Sequence, residues 1–391
     1  MHLVFATSLV PAGKPATGYE IANAAIIAAL RRAGARVTVI GYIWPGATPS
    51  DPDNTIVLGE VDVRTETASG RQRAAWLLKA MQAGMTFASI KLRATSPAKV
   101  KAALARIEPF DAYILNAVQF AAAFEEALAD KPSIFVAHNV EYRSAQENAA
   151  AASGIVARTL YWREAKLLKL VEARLCARAD YVWTLAEEDR ELLGIDDPSR
   201  SACLPMTVAV ETPQALGPRK PAFDAGLIGS WTWQPNRIGL DWFLDEVTPH
   251  LPDDFTIQIA GKMPSGVTAS HPGVEFCGFV ESAEEFVRQA RVIPLISRAG
   301  TGVQLKTIET FELGLPSVAT SSSLRGIANQ PDNCIIVDDP RAFATALVEA
   351  VRNPMADVDG RIFHDAQRAL LDRRIAAGLA QLSQSRQEVA A

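Results

Sequence analysis

The stretch "VIPLISRAGTGVQLKTIETFELGLPSVATS" (292–321) decides the fold class. "VIPLIS" is an apolar run of strand length, "RAGTG" turns the chain, and the residues that follow carry apolar positions at helical spacing. Thr301 is placed to cap a helix running to Leu313, Gly314 fits the left-handed position beyond it, and Pro316 prevents continuation into "PSVATS". Strand, helix, strand in that order is a parallel α/β unit.

The same alternation extends both ways. Towards the amino terminus it runs through "AGLIGS", a helix at 237–248, "FTIQIAG", "GVEFCGFV" and a helix near 282–290; beyond lie "NCIIVDD" and a helix at 340–352. The first half repeats the pattern with "HLVFATSLV", "YEIANAAIIAALRRAG", "RVTVIGYI", "FDAYILNA" (110–117), "PSIFVAHNV" (132–140) and "ADYVWTLAEEDRELLG" (179–194). Between the two series, residues 195–225 are rich in Pro, Ser and Asp and poor in apolar runs, the texture of a linker. A chain of 391 residues also exceeds what one core usually supports. The expectation is therefore an α/β protein with two doubly wound Rossmann-like domains facing a central cleft. The first spans 1–205, the linker 206–225, and the second 226–360. A helical tail over 361–391 could pack back on the first domain. Ligands of such sheets bind at the carboxyl ends of the strands.

Composition narrows the function. A net charge of −5 argues against nucleic acid as a partner. Four widely spaced cysteines with no C-x-x-C pair indicate neither a zinc site nor a disulfide framework, which suits a cytoplasmic protein. The opening "MHLVFATSLVPAG" has no basic flank and reads as a core strand rather than a signal peptide, and no apolar run reaches spanning length. Residues 67–107 depart from the acidic average, with eight Lys or Arg and no acid among Trp76, Leu77, Leu78, Met81, Met85, Phe87, Ile90 and Leu92. Such a mixture suits peripheral docking on anionic lipid at the inner membrane face, or a solvated helix packed on its own domain.

In the opening stretch, the first backbone amides of the helix, near Gly302, Val303 and Gln304, lack intrahelical partners and lie at the positive end of the dipole, where an anion is welcome. Lys306 and Glu309, three apart, share a face. The lysine is placed for a diphosphate and the carboxylate for a pair of sugar hydroxyls. Taken alone, the segment reads as a capped surface helix whose Lys–Glu pair is worth about 0.2–0.5 kcal/mol.

Its neighbours change that reading. "IGSWTWQPN", "IQIAGKMP", "GVEFCGFV", the opening stretch and "NCIIVDDP" occur in the order and spacing of the nucleotide-binding domain of family 4 glycosyltransferases of the GT-B fold, which residues 226–350 resemble. More loosely, "FVAHNVEYRSAQ" is similar to the HNVE segment of a bacterial surface-polysaccharide subgroup. The resemblance implies a retaining, metal-independent transfer from a UDP- or GDP-sugar, with no further cofactor, to a lipid-linked or saccharide acceptor. It gives Glu309 the ribose-binding place in the family's E-x7-E motif. Thr301 stands where the first glutamate would be, with the backbone of Gly300 to Val303 as a partial substitute. Ser230 follows Gly229 where the family has an arginine, and Arg237 lies near the family's lysine. Lys306 and Arg237 are thus the candidates for the diphosphate. His138 becomes the reaction-centre residue, with Asn139 and Glu141 beside it. Gly13 and Gly18 are candidates for close backbone approach on the donor-sugar or acceptor side, and Trp231 either stacks on the nucleotide or closes its loop on the core. Two other readings share this fold: a nucleotide-sugar epimerase and a non-catalytic nucleotide-sugar-binding subunit.

Overall fold

The computed structural model describes residues 1–390 except Lys14, Ala16, Glu66 and Glu108, with side chains described through Gln384. Lys14 and Ala16, in the loop "VPAGKPATGYE", therefore lie outside the described residues. The chain divides into two units, Met1–Pro205 with Ala369–Ala391, and Met206–Arg368.

The first unit holds strands β1 (His2–Leu9), β2 (Arg36–Ile43), β3 (Thr55–Glu60), β4 (Ala112–Asn116), β5 (Ser133–Ala137), β6 (Tyr181–Thr184) and β7 (Ser201–Cys203). They form one sheet in the order β3-β2-β1-β4-β5-β6-β7, and every pairing is parallel. β4 and β5 are buried at every position, which is why "AYILN" and "SIFVA" are apolar without alternation. The strand order reverses direction between β1 and β4, and that pair marks the switch point.

The second unit holds β8 (Phe223–Ser230), β9 (Ile257–Lys262), β10 (Val274–Gly278), β11 (Ala290–Leu295), β12 (Ser317–Ala319) and β13 (Cys334–Ile336), ordered β10-β9-β8-β11-β12-β13 and again parallel throughout. Its switch point lies between β8 and β11. Each unit has its own core, around Phe120, Phe124 and Phe135 in the first and Trp242, Phe243 and Phe343 in the second.

Two helices differ from expectation. The one predicted over 237–248 starts earlier, at Gln234–Trp242, and widens into a π turn over Phe243–Val247. That widening precedes Pro249, which has no N–H to offer the preceding turn. In the opening stretch the helix is Leu305–Glu312, with Gln304 as its cap residue. Gly300 and Gly302 have φ of 90° and 75°, so the left-handed region holds the chain out of the helix until Gln304. Thr301 is buried in the loop and does not cap. Gly314, at φ 68°, does occupy the left-handed position after the helix, and a side chain there would strike the Val358 carbonyl.

The final helix, Gly360–Ala390, contributes its residues from Ala369 onward to the first unit. Gly378 lies against the Trp183 ring, Arg32 pairs with Asp372 at 2.7 Å, and Leu371, Ile375 and Leu382 are buried.

Candidate functional site

At the switch point of the second unit, β8 delivers Gly229 and Ser230, and β11 delivers the loop that leads to helix Leu305–Glu312. Gly229 pairs with Gly261 of β9 so closely that a Cβ on Gly261 would lie 1.9 Å from the Gly229 carbonyl oxygen. The missing Cβ of Gly229 itself leaves room for the Lys306 ammonium, which would stand 2.4 Å from it. Lys306 Nζ lies 4.9 Å from the centroid of the Trp231 ring. Burial pushes its pKa down to about 8, partly offset by the Glu309 carboxylate on the same face. An ammonium held this far out of water gains more from a bound anion than a solvated one does.

Trp231 is therefore a platform for the lysine and a core residue. Only 3% of it is exposed, and its Nε1–H donates to the Ala260 carbonyl at 2.8 Å. Stacking on a nucleotide base is closed to a ring so placed, whereas Trp233 is about half exposed. A pocket within this unit is lined by Gly226, Trp231, Gln304, Lys306, Glu309 and Ser323, among others. It brings the predicted pair Lys306 and Glu309 together with the first turn of the helix. With Gln304 as the cap, the amides that open the helix are those of Leu305 and Lys306, one turn later than the Gly302 to Gln304 amides expected.

The loop before the helix is held rigidly by a residue that sequence reasoning missed. Arg325 donates to the Ala299 carbonyl at 3.0 Å, to Ser297 Oγ at 3.3 Å and to the Gly302 carbonyl at 3.4 Å. Ser297 N–H donates to Ser323 Oγ at 2.9 Å, and a side chain at Gly300 would crowd Pro235. A cation just past the carboxyl end of β12, in "SSSLRG", was the available signal. Gly300, Thr301, Gly302 and Val303 thus form a fixed wall, with Thr301 buried in it. Ser230 is exposed and accepts a bond from Asn236 at its carbonyl. Arg237 is not free-standing: it pairs with Asp241 at 2.5 Å, one turn along its own helix. A partly exposed pair of this kind is worth only about 0.3–0.5 kcal/mol and gives way easily to a phosphate.

At the other end of helix Leu305–Glu312, the Glu312 carboxylate accepts the backbone N–H groups of Val208 and Ala209 at 2.9 and 3.0 Å. Burial raises its pKa.

In the first unit, His138 follows β5 and belongs to a buried polar network at the switch point. Its Nε2 lies 2.8 Å from Asn116 Oδ1. Asn116 Nδ2 in turn donates to Asn23 Oδ1 at 2.8 Å, to Tyr19 OH at 3.1 Å and to Thr7 Oγ1 at 3.2 Å. Because the Asn116 amide nitrogen is the donor there, its oxygen accepts, and the His138 proton resides on Nε2. Burial pushes the imidazole down to about 4, so the ring is neutral at physiological pH. It suits a hydrogen-bonding role and not a cationic one. Asn116, Asn23 and Tyr19 were not singled out from the sequence, although a polar residue ending the apolar run "YILN" is the same signal that drew attention to His138. Ala117, next in line, holds φ 63° without being glycine, a strained conformation beside this network.

Glu141 opens helix Glu141–Ala151, accepts from Gln119 Nε2 at 3.0 Å and is bonded by the Asn139 side chain; burial raises its pKa. The Glu172 carboxylate, pushed up to about 8 by burial, takes the Glu141 and Tyr142 amides. Asn139 and Glu141 thus have partners inside their own unit. Gly13, at φ 64°, needs to be glycine, whereas Gly18 opens helix Gly18–Arg32 behind a Thr17–Glu20 capping box. Among the described residues no group of three or more His, Cys, Asp or Glu is placed to hold a metal, and no helix is long and apolar enough to cross a membrane.

Residues 222–353 match the family model for glycosyl transferases group 1. No curated protein matches the chain. Among solved structures, it is similar to sucrose-phosphate synthase from Thermosynechococcus elongatus, with a TM-score of 0.64 and 16% identity over 99% of both chains. It is also similar to a trehalose-phosphate synthase from Burkholderia xenovorans, solved with glucose-6-phosphate, at a TM-score of 0.58 and 13% identity over 97% of this chain and 99% of that one. Anabaena HepE, solved with UDP and glucose, gives 0.56 and 11% over 98% and 100%. At such identities the likeness is one of fold. Residues 222–353 thus match a group 1 glycosyltransferase domain, set in a tandem of Rossmann-like sheets whose fold is that of these GT-B structures.

Proposed function

We propose that the chain transfers a sugar from a UDP- or GDP-sugar to a lipid-linked or saccharide acceptor in bacterial polysaccharide or glycoconjugate synthesis, with retention of configuration and without a metal. The observation that carries this reading is Lys306, half-buried over Trp231 at the switch point, with Glu309 on the same helix face. Lys306 and the Leu305 and Lys306 amides meet the diphosphate, while Glu309 accepts the ribose hydroxyls. As the bond between the anomeric carbon and the β-phosphate oxygen breaks, negative charge grows on that phosphate, where a desolvated ammonium acts most strongly. The acceptor oxygen takes the anomeric carbon from the same face, and its proton passes to the leaving phosphate. His138, neutral, serves as a hydrogen-bonding contact to the donor sugar. The UDP-glucose complex of HepE and the glucose-6-phosphate complex of the Burkholderia synthase support a nucleotide donor and a saccharide acceptor on this fold.

The test is calorimetric titration of UDP-, GDP- and ADP-sugars into the wild type and into Lys306→Ala and Glu309→Ala. Removing a charge-assisted contact weakens binding by about 10–150-fold. Undiminished binding by both variants would place the donor elsewhere. Thr301, where the family has a carboxylate, also keeps open a non-catalytic binding subunit. Donor binding accompanied by neither transfer nor slow hydrolysis would select that reading.

A further inference from the structure

The acid-free stretch 67–107 forms helices Gly70–Ala83, Phe87–Lys91 and Pro97–Leu104. Much of its apolar content is turned inward. Trp76 packs edge-on to Phe87, Lys91 Nζ donates to the Val63 carbonyl and lies near both rings, and Ile90 and Leu92 are buried. Leu78 and Met81 remain outward, 57% and 56% exposed and three apart on one helix face, with Arg71, Arg73 and Lys79 exposed on the same helix.

A second element adjoins them. Helix Ile155–Arg178 begins with Ile155 and Val156, 83% and 75% exposed, and continues with exposed Tyr161 and Trp162 among the exposed cations Arg158, Lys166 and Lys169. Arg163 ties the two helices together, donating to the Ala80 carbonyl at 2.9 Å and the Met85 carbonyl at 3.2 Å. Val156 lies seven residues before Arg163, two turns back on the same side of the helix. The nearby acid, Glu164, is turned onto the Phe87 amide, which both its oxygens accept. No acidic residue occurs from 148 to 163 or from 67 to 107.

We propose that the outer face of helix Gly70–Ala83 and the first turns of helix Ile155–Arg178 form one docking surface for an anionic lipid bilayer. Exposed aliphatic side chains enter the acyl boundary, Tyr161 and Trp162 sit at headgroup depth, and the surrounding lysines and arginines meet lipid phosphates. Scattered exposed apolar residues are ordinary on a soluble surface. Here they are joined by a hydrogen-bonded clamp and lie on two segments whose only charged residues are cations, in a chain of net charge −5, and that charge complementarity selects an anionic membrane over a second copy of the chain. The surface adds a location to the proposed activity.

Co-sedimentation of the full chain with vesicles of phosphatidylcholine, alone or mixed with phosphatidylglycerol, tests it. Binding is expected to the mixed vesicles only and to fall with added salt. Leu78→Glu with Met81→Glu, and separately Ile155→Glu with Val156→Glu, should each reduce binding by about tenfold or more, and Lys79→Ala by about fivefold. Since these positions are exposed, unchanged melting temperatures and unchanged UDP binding show that the fold and the donor site survive. Equal binding to both vesicle types, wild-type binding by both double variants, or a dimer in sedimentation velocity that the same substitutions abolish would each overturn the proposal. Vesicle binding requires neither donor nor acceptor, so its failure is distinct from a failure of the transferase reading.

Discussion

Proton linkage at Lys306 gives the sharpest test of the proposed donor site. With a folded-state pKa of about 8, the ammonium is about 90% charged at pH 7 and about 10% charged at pH 9. A nucleoside diphosphate prefers the charged form, so its affinity should fall by about tenfold between those two pH values, with most of the loss above pH 8. The sign follows from the direction of the shift. Folding lowers this lysine below its usual 10.5, and a phosphate beside it restores the proton, so binding takes up a proton in that window. Calorimetric titration of UDP at pH 7, 8 and 9, repeated in buffers of different ionisation enthalpy, reads both the affinity and the proton. Lys306→Met should bind more weakly at every pH and lose the slope, which separates the lysine from titration of the nucleotide. Equal wild-type affinity at pH 7 and pH 9, or a slope that persists in the methionine variant, would refute the placement of the diphosphate at this residue.

Other outcomes follow from the same geometry. Gly229→Ala puts a methyl group 2.4 Å from Lys306 Nζ and 3.3 Å from the Trp231 ring, and the flexible end of the lysine is what must move. UDP affinity should drop by about tenfold while unfolding free energy in urea changes by less than about 1 kcal/mol; a large stability loss with intact binding would contradict this. Glu309→Ala should weaken UDP far more than 2′,3′-dideoxy-UDP, and equal losses for the two ligands would remove the ribose contact. His138 has its folded pKa lowered from 6.5 to about 4, so its contribution is fully present above pH 6.5 and is lost as pH falls towards 4. That amounts to about 3 kcal/mol, read as the difference in urea midpoints between wild type and His138→Asn across the window; parallel pH curves for the two proteins would count against it.

The strand and helix series was legible because each central strand is covered on both faces and therefore reads as an unbroken apolar run. The switch-point location of Gly229, Lys306 and Glu309 followed from where those runs end. Local backbone conformation was not legible in the same way. "GTG" is compatible with a capping threonine between two ordinary glycines, and only the tertiary fit against Pro235 and Arg325 puts both glycines in the left-handed region and delays the helix to Gln304. Trp231 was ambiguous for a related reason: an aromatic in a loop after a strand has the same pattern whether its N–H finds water or the Ala260 carbonyl. Partners distant in sequence, such as Asn116 with Asn23 and Tyr19, leave no periodic trace at all.

Glu312 gives helix Leu305–Glu312 a second role. Six residues, about 9 Å of rigid rod, separate the lysine at its first turn from the carboxylate that holds Val208 and Ala209. Those two residues come just after the chain leaves the first unit at Pro205. With the donor at the proposed site, a rod seated by a ligand at one end and fastened to the connecting chain at the other makes donor occupancy and connector freedom a single thermodynamic account: whatever binding does to the connector, tension on the connector does in equal measure to binding.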